Sequence, residues 1–350
     1  MISRFKFIRK NVFVGAIVFF GLFVSSAIHC MQLAIADNSN EIKIWDVEEK
    51  KVIHTLKGSV KISSLLFSPD EKMLLAGNEI WDTKTWKSIK KFEKVSAAAF
   101  SPDGKYLAIS WGEERASVKI NILSTDKWKL IKILELESDI VSVRTIDLNI
   151  MALAFSPTES LLVAKSEEGQ IKIWETNNWK EVKNLSIGGG SRGFLVFSPD
   201  GKFLVTSGSR LIRAQVLTTR DWKAIDTKKA RWYLSKPTAV AFSLNGNYLI
   251  SSDSIHITKL NTTDWNMEMK KRVPGGSDAF SFSNISFESS GKSFAFGDDL
   301  GNIHIWDIDD LNKGYTFNLG EEEIEAVAFK KANILSKQIK KSKKTKDIKK

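Results

Sequence analysis

Leu195-Val196-Phe197-Ser198-Pro199-Asp200-Gly201 decides the fold, because close copies of this phrase recur along the chain. The apolar residues form a short strand, and Ser-Pro-Asp-Gly then turns the chain, since proline fixes φ and glycine adopts the left-handed conformation. The copies are marked by Phe67, Phe100, Phe155, Phe197, Phe242, Phe287 and Phe329. They are separated by 33, 55, 42, 45, 45 and 42 residues. A period of this length predicts propeller blades of four strands.

The rest of each repeat also follows one pattern. A second apolar strand follows the turn, and an alternating strand such as Ile171-Lys172-Ile173-Trp174-Glu175 comes third. Alternation predicts one buried and one solvated face. A Thr-x-x-Trp motif separates the third from the fourth strand, and its Trp is expected to cover the apolar edge of the blade. The five copies are Thr83/Trp86, Thr125/Trp128, Thr176/Trp179, Thr219/Trp222 and Thr262/Trp265.

Residues 32–330 resemble the WD-repeat β-propeller family. Trp-Asp pairs end the third strands, and the clear cases are Trp45-Asp46, Trp81-Asp82 and Trp306-Asp307, with Trp174-Glu175 as a near match. The family's Gly-His dipeptide is replaced by Gly58-Ser59. The resemblance therefore implies the propeller fold, but we expect the family's buried His–Asp–Ser–Trp network to be absent.

The ends of the repeat region predict how the ring closes. Met31–Ala36 aligns with the second strand of a blade but has no first strand before it. Ile324–Phe329 is a first strand with no complete blade after it. Pairing the two fragments gives an all-β, seven-bladed propeller of four-stranded antiparallel blades, without exposed sheet edges at a seam.

The N-terminus has the composition of a targeting segment. Four basic residues between Arg4 and Lys10 precede an uncharged apolar run from Val12 to Ile28. This order predicts that residues 1–30 are a signal peptide or a membrane anchor, in the form of a hydrophobic helix. A buried strand or helix is the alternative. Cys30 follows His29, which is not the small residue that a lipidation site requires. We expect residues 31–330 to be exported across the cytoplasmic membrane, and to be periplasmic, secreted or membrane-anchored.

The net charge of +11 is carried by the two ends of the chain. Residues 1–10 contribute +4 and residues 337–350 contribute +7, so residues 11–336 are neutral. A neutral body argues against nucleic acid as a partner. Residues 331–350 are predicted to be a disordered basic tail, which either contacts anionic envelope polymers or lipid or merely aids solubility.

No catalytic residue, cofactor or metal site is predicted. Gly188–Gly193 matches both G-x-G-x-x-G and, from Gly189, G-x-S-x-G. Both motifs require a strand that leads into a helix, and here two strands are joined. His54, His256 and His304 fall in different blades and are interpreted as surface residues or strand fillers. Adjacent carboxylates, such as Asp298-Asp299, favour solvated turns, with an acidic rim or a weak Ca²⁺ site as the alternative.

The sequence therefore favours an exported, non-catalytic scaffold that binds a protein or peptide on one propeller face. The contact residues are predicted from loop position to be Trp111, Glu113, Arg115, Ser191, Arg192, Ser209, Arg210, Asp253 and Asp299. The long interval around Leu136–Asn149 indicates either a binding loop or a tolerated insertion. Two alternatives remain: a lactonase-like or other propeller hydrolase, which would need metal-binding carboxylates, and a structural envelope component that acts through its tail.

Overall fold

The protein is described by a computed structural model that covers residues 31–62, 64–111, 117–137, 149–187, 193–207, 214–225, 234, 237–275, 282–320 and 322–330. In these residues the regular elements are all β-strands, as predicted. Nothing in the described part of the chain is a helix long and apolar enough to span a bilayer. The expected N-terminal helix and the basic tail lie outside the described residues.

The strands in chain order are β1 (Gln32–Asp37), β2 (Glu41–Asp46), β3 (Lys51–Lys57), β4 (Leu65–Phe67), β5 (Met73–Ala76), β6 (Glu79–Asp82), β7 (Ser88–Lys91), β8 (Ala97–Phe100), β9 (Tyr106–Trp111), β10 (Ser117–Ser124), β11 (Leu130–Glu137), β12 (Ile150–Phe155), β13 (Leu161–Ser166), β14 (Gln170–Glu175), β15 (Lys180–Ser186), β16 (Leu195–Phe197), β17 (Phe203–Thr206), β18 (Gln215–Thr218), β19 (Ala239–Phe242), β20 (Tyr248–Ser252), β21 (His256–Asn261), β22 (Met267–Arg272), β23 (Ser286–Phe287), β24 (Ser293–Gly297), β25 (Asn302–Asp307), β26 (Gly314–Asn318) and β27 (Ile324–Lys330).

These strands form seven antiparallel sheets, which are the blades of a propeller. Blade 1 is β27-β1-β2-β3, and blades 2, 3 and 4 are β4 to β7, β8 to β11 and β12 to β15. Blade 5 is β16-β17-β18 in the described residues, and a single bridge between Leu217 and Ala224 lies where a fourth strand would pair. Blades 6 and 7 are β19 to β22 and β23 to β26.

The ring is closed by the last strand, as the sequence predicts. β27 pairs antiparallel with β1, with Phe329 opposite Leu33. Its other edge is held by Asn284, whose Nδ2 donates to Val327 O at 2.8 Å and whose Oδ1 accepts from Val327 N at 2.9 Å. Ser286 Oγ accepts from Phe329 N at 2.9 Å. The closing strand is therefore hydrogen-bonded along both edges.

The apolar core is divided among the seven interfaces between successive blades. Strand alternation explains this division, because successive side chains point to opposite faces of a blade. In β13, for example, Leu162 and Ala164 pack toward blade 3. Val163 packs in the other direction, against Leu195 and Leu204 of blade 5. Each blade is thus buried on both faces, and the ring must be complete for any interface to be intact.

One end of the ring, here called the turn end, carries the turns from first to second strands and from third to fourth strands. The Ser hydroxyl at each Ser-Pro-Asp-Gly turn accepts from the backbone N five residues later and donates to the Asp or Asn carboxyl or amide oxygen. In the turn at Ser198, these distances are 2.9 Å from Phe203 N and 2.6 Å to Asp200 Oδ1. The third turn position has positive φ, which explains the glycine at 104, 201, 246 and 291.

The Thr-x-x-Trp motif joins elements at the turn end in two directions. Its Thr binds the other turn of the same blade; Thr125 Oγ1, for example, donates to the carbonyl oxygen of Gly104. Its Trp has a positive φ of 54° to 59° in all five copies. The ring then packs against the preceding blade, as Trp128 does against Phe92 and Trp179 against Tyr106. The motif is an inter-blade staple, whereas the sequence suggested only a cover for the blade edge.

The opposite end, here called the loop end, carries the turns from second to third strands and the connections between blades. The described chain begins and ends at the turn end, because Gln32 is opposite Lys330 in the sheet and Lys330 Nζ lies 5.5 Å from the Trp86 ring. The two ends of the ring are therefore distinct in position and in chemistry.

Candidate functional site

Topology places the predicted contact residues at the loop end. Asp253 follows β20, Asp299 follows β24, and Trp111 is the last residue of β9, with its backbone paired to Lys119. These three positions lie at one end of the ring, as expected of residues in turns from second to third strands. The other six predicted residues lie outside the described residues, and they are Glu113, Arg115, Ser191, Arg192, Ser209 and Arg210.

Asp253 builds its turn and also faces solvent. Its Oδ1 accepts hydrogen bonds from the backbone N of Ile255 at 2.7 Å and of His256 at 2.6 Å. The same oxygen lies 3.4 Å from His256 Nδ1. With 39% of the side chain exposed, the carboxylate can still meet a partner. The residue therefore combines a turn-forming role with an accessible negative charge.

Asp299 belongs to a group of charges where blades 7, 1 and 2 meet. Burial raises the pKa of Glu323, and the negative charges of Glu325 and Asp299 raise it further, while Lys61 opposes them. Lys61 Nζ lies 2.6 Å from Glu325 Oε1, and this contact raises the pKa of Lys61. Part of the loop end is thus acidic. In the described part of the chain, no three His, Cys, Asp or Glu side chains are arranged to hold a metal ion.

The interpretation of His304 as a filler is wrong, and blade 7 has a buried His–Asp network of its own. His304 is 1% exposed, and its Nε2 lies 3.0 Å from Asp298 Oδ2. Its Nδ1 lies 2.9 Å from Thr316 Oγ1, and its ring stacks on Phe296. The sequence argument considered only a histidine preceding the first strand, whereas this one comes from the third strand.

The network holds the turn that receives the closing strand. Burial alone would raise the pKa of Asp298, but hydrogen bonds from His304 and Asn302 outweigh burial and lower it. The carbonyl oxygen of Asp298 accepts from Ile324 N at 3.0 Å, at the start of β27. Blade 1 has a related pair, because Lys43 Nζ donates to Asp37 Oδ2 at 2.9 Å from the equivalent register positions. Both blades at the seam therefore place a buried carboxylate at the loop end.

Gly193 shows why the glycine-rich stretch needs no catalytic explanation at its described residue. A Cβ at this position would lie 2.0 Å from Met151 Cβ of the preceding blade. The first strands of blades 4 and 5 therefore approach too closely for a side chain here. The rest of the Gly188–Gly193 motif lies outside the described residues.

Two exposed apolar residues at the loop end escaped the sequence analysis. Val60 is 39% exposed in the connection from blade 1 to blade 2, and Leu300 is 50% exposed in the turn beside Asp299. Side chains of this kind contribute to protein interfaces when a partner covers them. The signal available in the sequence was their place in turns otherwise rich in polar residues.

Comparisons with known proteins agree with the fold. The family model "WD domain, G-beta repeat" matches residues 50–85 and 141–175. A 70-residue segment is 37% identical to the TSET complex member tstE of Dictyostelium discoideum. That match covers 17% of this chain and only 5% of the length of that relative. With two WD40 repeats and a closed ring of seven blades, the chain is consistent with the WD-repeat β-propeller family.

Proposed function

We propose that the chain is a scaffold that binds a protein or peptide at its loop end, outside the cytoplasmic membrane. WD40 propellers generally bind protein partners and are typically non-enzymatic. The relative with the 37% identical segment is, by its name, a member of a complex. Both points favour an interaction role over catalysis.

The position of the chain ends is the observation that carries the proposal. Gln32 and Lys330 face each other at the turn end. The apolar segment and the lysine-rich tail are therefore joined to the ring at the end opposite Asp253 and Asp299. A ring tethered through either segment would direct its loop end away from the membrane and leave it open to a partner.

The loop end offers a partner both charge and apolar surface. Asp253 and Asp299 supply negative charge, and Val60 and Leu300 supply exposed apolar area. Such a surface favours a partner with basic and apolar side chains, because charge complementarity steers association and apolar burial stabilises the complex.

A photoreactive amino acid tests which end is used. We expect it to yield protein adducts in cells when it replaces Asp253 at the loop end. The matched control replaces Asp126, an exposed residue of the turn end. Equal adduct formation at the two positions, or adducts at Asp126 alone, would contradict a loop-end binding site.

Export is tested on the expressed full chain. Fractionation should place the protein outside the cytoplasm, and N-terminal sequencing should give either the intact Met1 or a start before Gln32, since β1 is needed for closure. A wholly cytoplasmic protein with an intact N-terminus would refute export while leaving the loop-end proposal intact.

Lipid contact through the tail has its own test. Each lysine near an anionic surface contributes about 1 kcal/mol of attraction. Removal of residues 337–350, with its eight lysines, should therefore weaken binding to phosphatidylglycerol vesicles and should reduce the salt dependence of that binding. Phosphatidylcholine vesicles are the control. Unchanged binding after the deletion would refute a role for the tail.

A further inference from the structure

A lysine is buried at the interface between blades 4 and 5. Lys165 lies in β13 and is 0% exposed. Its Nζ lies 2.6 Å from Ser207 Oγ and 2.8 Å from Ser207 O, in the next blade. Ser207 follows β17 at the register position that corresponds to Lys165 in blade 4, and it is 5% exposed. Two equivalent positions of neighbouring blades thus bring an amine against a hydroxyl near the loop end.

The surroundings of this amine disfavour its charged form. Burial lowers the pKa of Lys165 to about 8. Val163 and Leu204 pack at the same interface, and the neighbouring strands β12, β16 and β17 carry no titratable side chain. In β14, Lys172 pairs with Glu181 at 3.2 Å, and Glu175 lies at the far end of the strand.

The hydrogen bonds around Ser207 fit a neutral amine. Ser207 Oγ accepts from Phe194 N at 3.3 Å. Its own hydrogen can then be donated to Lys165 Nζ, and a hydrogen of the neutral amine can be donated to Ser207 O. A protonated amine has no lone pair, so it would leave the hydroxyl hydrogen in need of another acceptor. A neutral Nζ therefore occupies the position of a general base for Ser207.

We propose that Lys165 and Ser207 form a serine–lysine pair in which the amine accepts the hydroxyl proton while Ser207 Oγ attacks a small acyl ester. A bond forms between Oγ and the acyl carbon, the ester C–O bond breaks, and the proton passes from Nζ to the departing alkoxide. Water then cleaves the acyl-serine, with Nζ accepting and returning one proton. The base and nucleophile are those of known serine–lysine hydrolases.

This proposal is independent of the scaffold function and needs no metal. It differs from the lactonase-like alternative, which would depend on carboxylates and a cation. The burial of Ser207 limits the substrate to small acyl groups. An acetyl ester is therefore the substrate class that fits, and 4-nitrophenyl acetate is the probe.

The test uses the purified full chain, with a fluorophosphonate and 4-nitrophenyl acetate as probes. We expect the phosphonyl adduct on Ser207 by peptide mass spectrometry, and we expect acetate release that Ser207→Ala abolishes. Lys165→Met should lower both rates by about 100-fold or more, because a general base contributes at least that much. An adduct on another residue, or unchanged rates in either variant, would overturn the proposal.

Two matched variants separate chemistry from folding. Ser252 occupies the equivalent register position of blade 6, and Lys259 is a buried lysine that pairs with Glu268. Ser252→Ala and Lys259→Met should keep both rates within about twofold, since neither touches the pair. Circular dichroism and thermal unfolding identify any variant that has not folded. Equal losses in the control variants would show that only the fold was disturbed and would refute the proposal.

The wild-type chain supplies a readout that needs no variant. The neutral fraction of an amine with a pKa of about 8 rises about tenfold between pH 7 and pH 9. The rate of Ser207 labelling should rise by the same factor, relative to labelling of a free serine ester hydrolase standard. A rate that is independent of pH, or no labelling of the folded chain, would refute the proposal.

Discussion

The two ends of the ring differ in how their chemistry is distributed among the blades. At the turn end, the same devices recur: a serine hydroxyl in the first turn, a Thr that joins the two turns, and a Trp with positive φ that packs on the preceding blade. At the loop end, each described blade differs. Blade 7 has His304 and Asp298, blade 1 has Lys43 and Asp37, and blade 4 has Lys165.

The difference indicates which residues answer to the fold and which to individual roles. A requirement shared by all blades, such as packing on the previous blade, gives the same solution many times. A requirement of one site gives a solution in one blade only. Repetition at the turn end therefore marks structure, and diversity at the loop end marks the candidate functional surface.

Replacing Trp86 should have the largest effect of the four substitutions considered. Trp86 is 9% exposed and packs against His54 of blade 1. Trp86→Ala should lower the free energy of unfolding by about 3 kcal/mol through lost burial. Trp86→Gly should be better than Ala by about 1 kcal/mol, because glycine adopts positive φ without strain. Denaturant unfolding measures both values, and Trp128→Ala, at a less buried ring, should cost less. A glycine variant weaker than the alanine variant would contradict the structural role assigned to φ.

His304→Leu tests the individual chemistry of the loop end. It removes the donor to Asp298 Oδ2 in a buried site, and we expect a loss of about 2 to 3 kcal/mol at pH 7. The lowered pKa of Asp298 stabilises the fold above its unfolded value near 3.8, and this contribution is lost as the pH falls through the folded value. The variant should therefore show a weaker dependence of stability on acid. Thr316→Val, which removes only the partner of Nδ1, is the control and should cost about 1 kcal/mol.

Lys165→Met should stabilise the protein, in contrast to the two losses above. A folded pKa of about 8 against 10.5 in the unfolded chain means that burial of the charged amine costs roughly 3 kcal/mol below pH 8. That cost disappears as the pH rises from about 8 to 10.5. After the lost hydrogen bonds are included, we expect a gain of about 2 kcal/mol at pH 7 and none at pH 11. Denaturant unfolding at both values checks this, and a loss at pH 7 would contradict the cost assigned to the buried charge.

Lys105→Ala should have the smallest effect. Its ion pair with Asp103 recurs in blades 2 and 5 as Lys72–Asp70 and Lys202–Asp200. Because these lysines are exposed, we expect a change below about 0.5 kcal/mol. Thermal unfolding in low and high salt would measure it. A loss above 1 kcal/mol would show that recurrence at the turn end includes charge as well as packing.

Sequence reasoning recovered the ring because its signals are local and repeated. The Phe-Ser-Pro-Asp-Gly phrase gave the strand order, and Ile324–Phe329 was assigned correctly to the blade that begins at Gln32. It was wrong about His304, because the network was sought only before a first strand. It also passed over Lys165, although a lysine within the apolar strand LLVAKS is unusual at a buried position.

What the sequence by itself determined is the repeat: its period, its turns and the complementary strands at its ends, since each depends on neighbours within a few residues. Only the tertiary structure decided which side chains meet across blades. Trp86 with His54, Asn284 with Val327 and Lys165 with Ser207 lie 19 to 43 residues apart or on neighbouring sheets. These contacts depend on the angle and distance between packed blades, which no single repeat specifies.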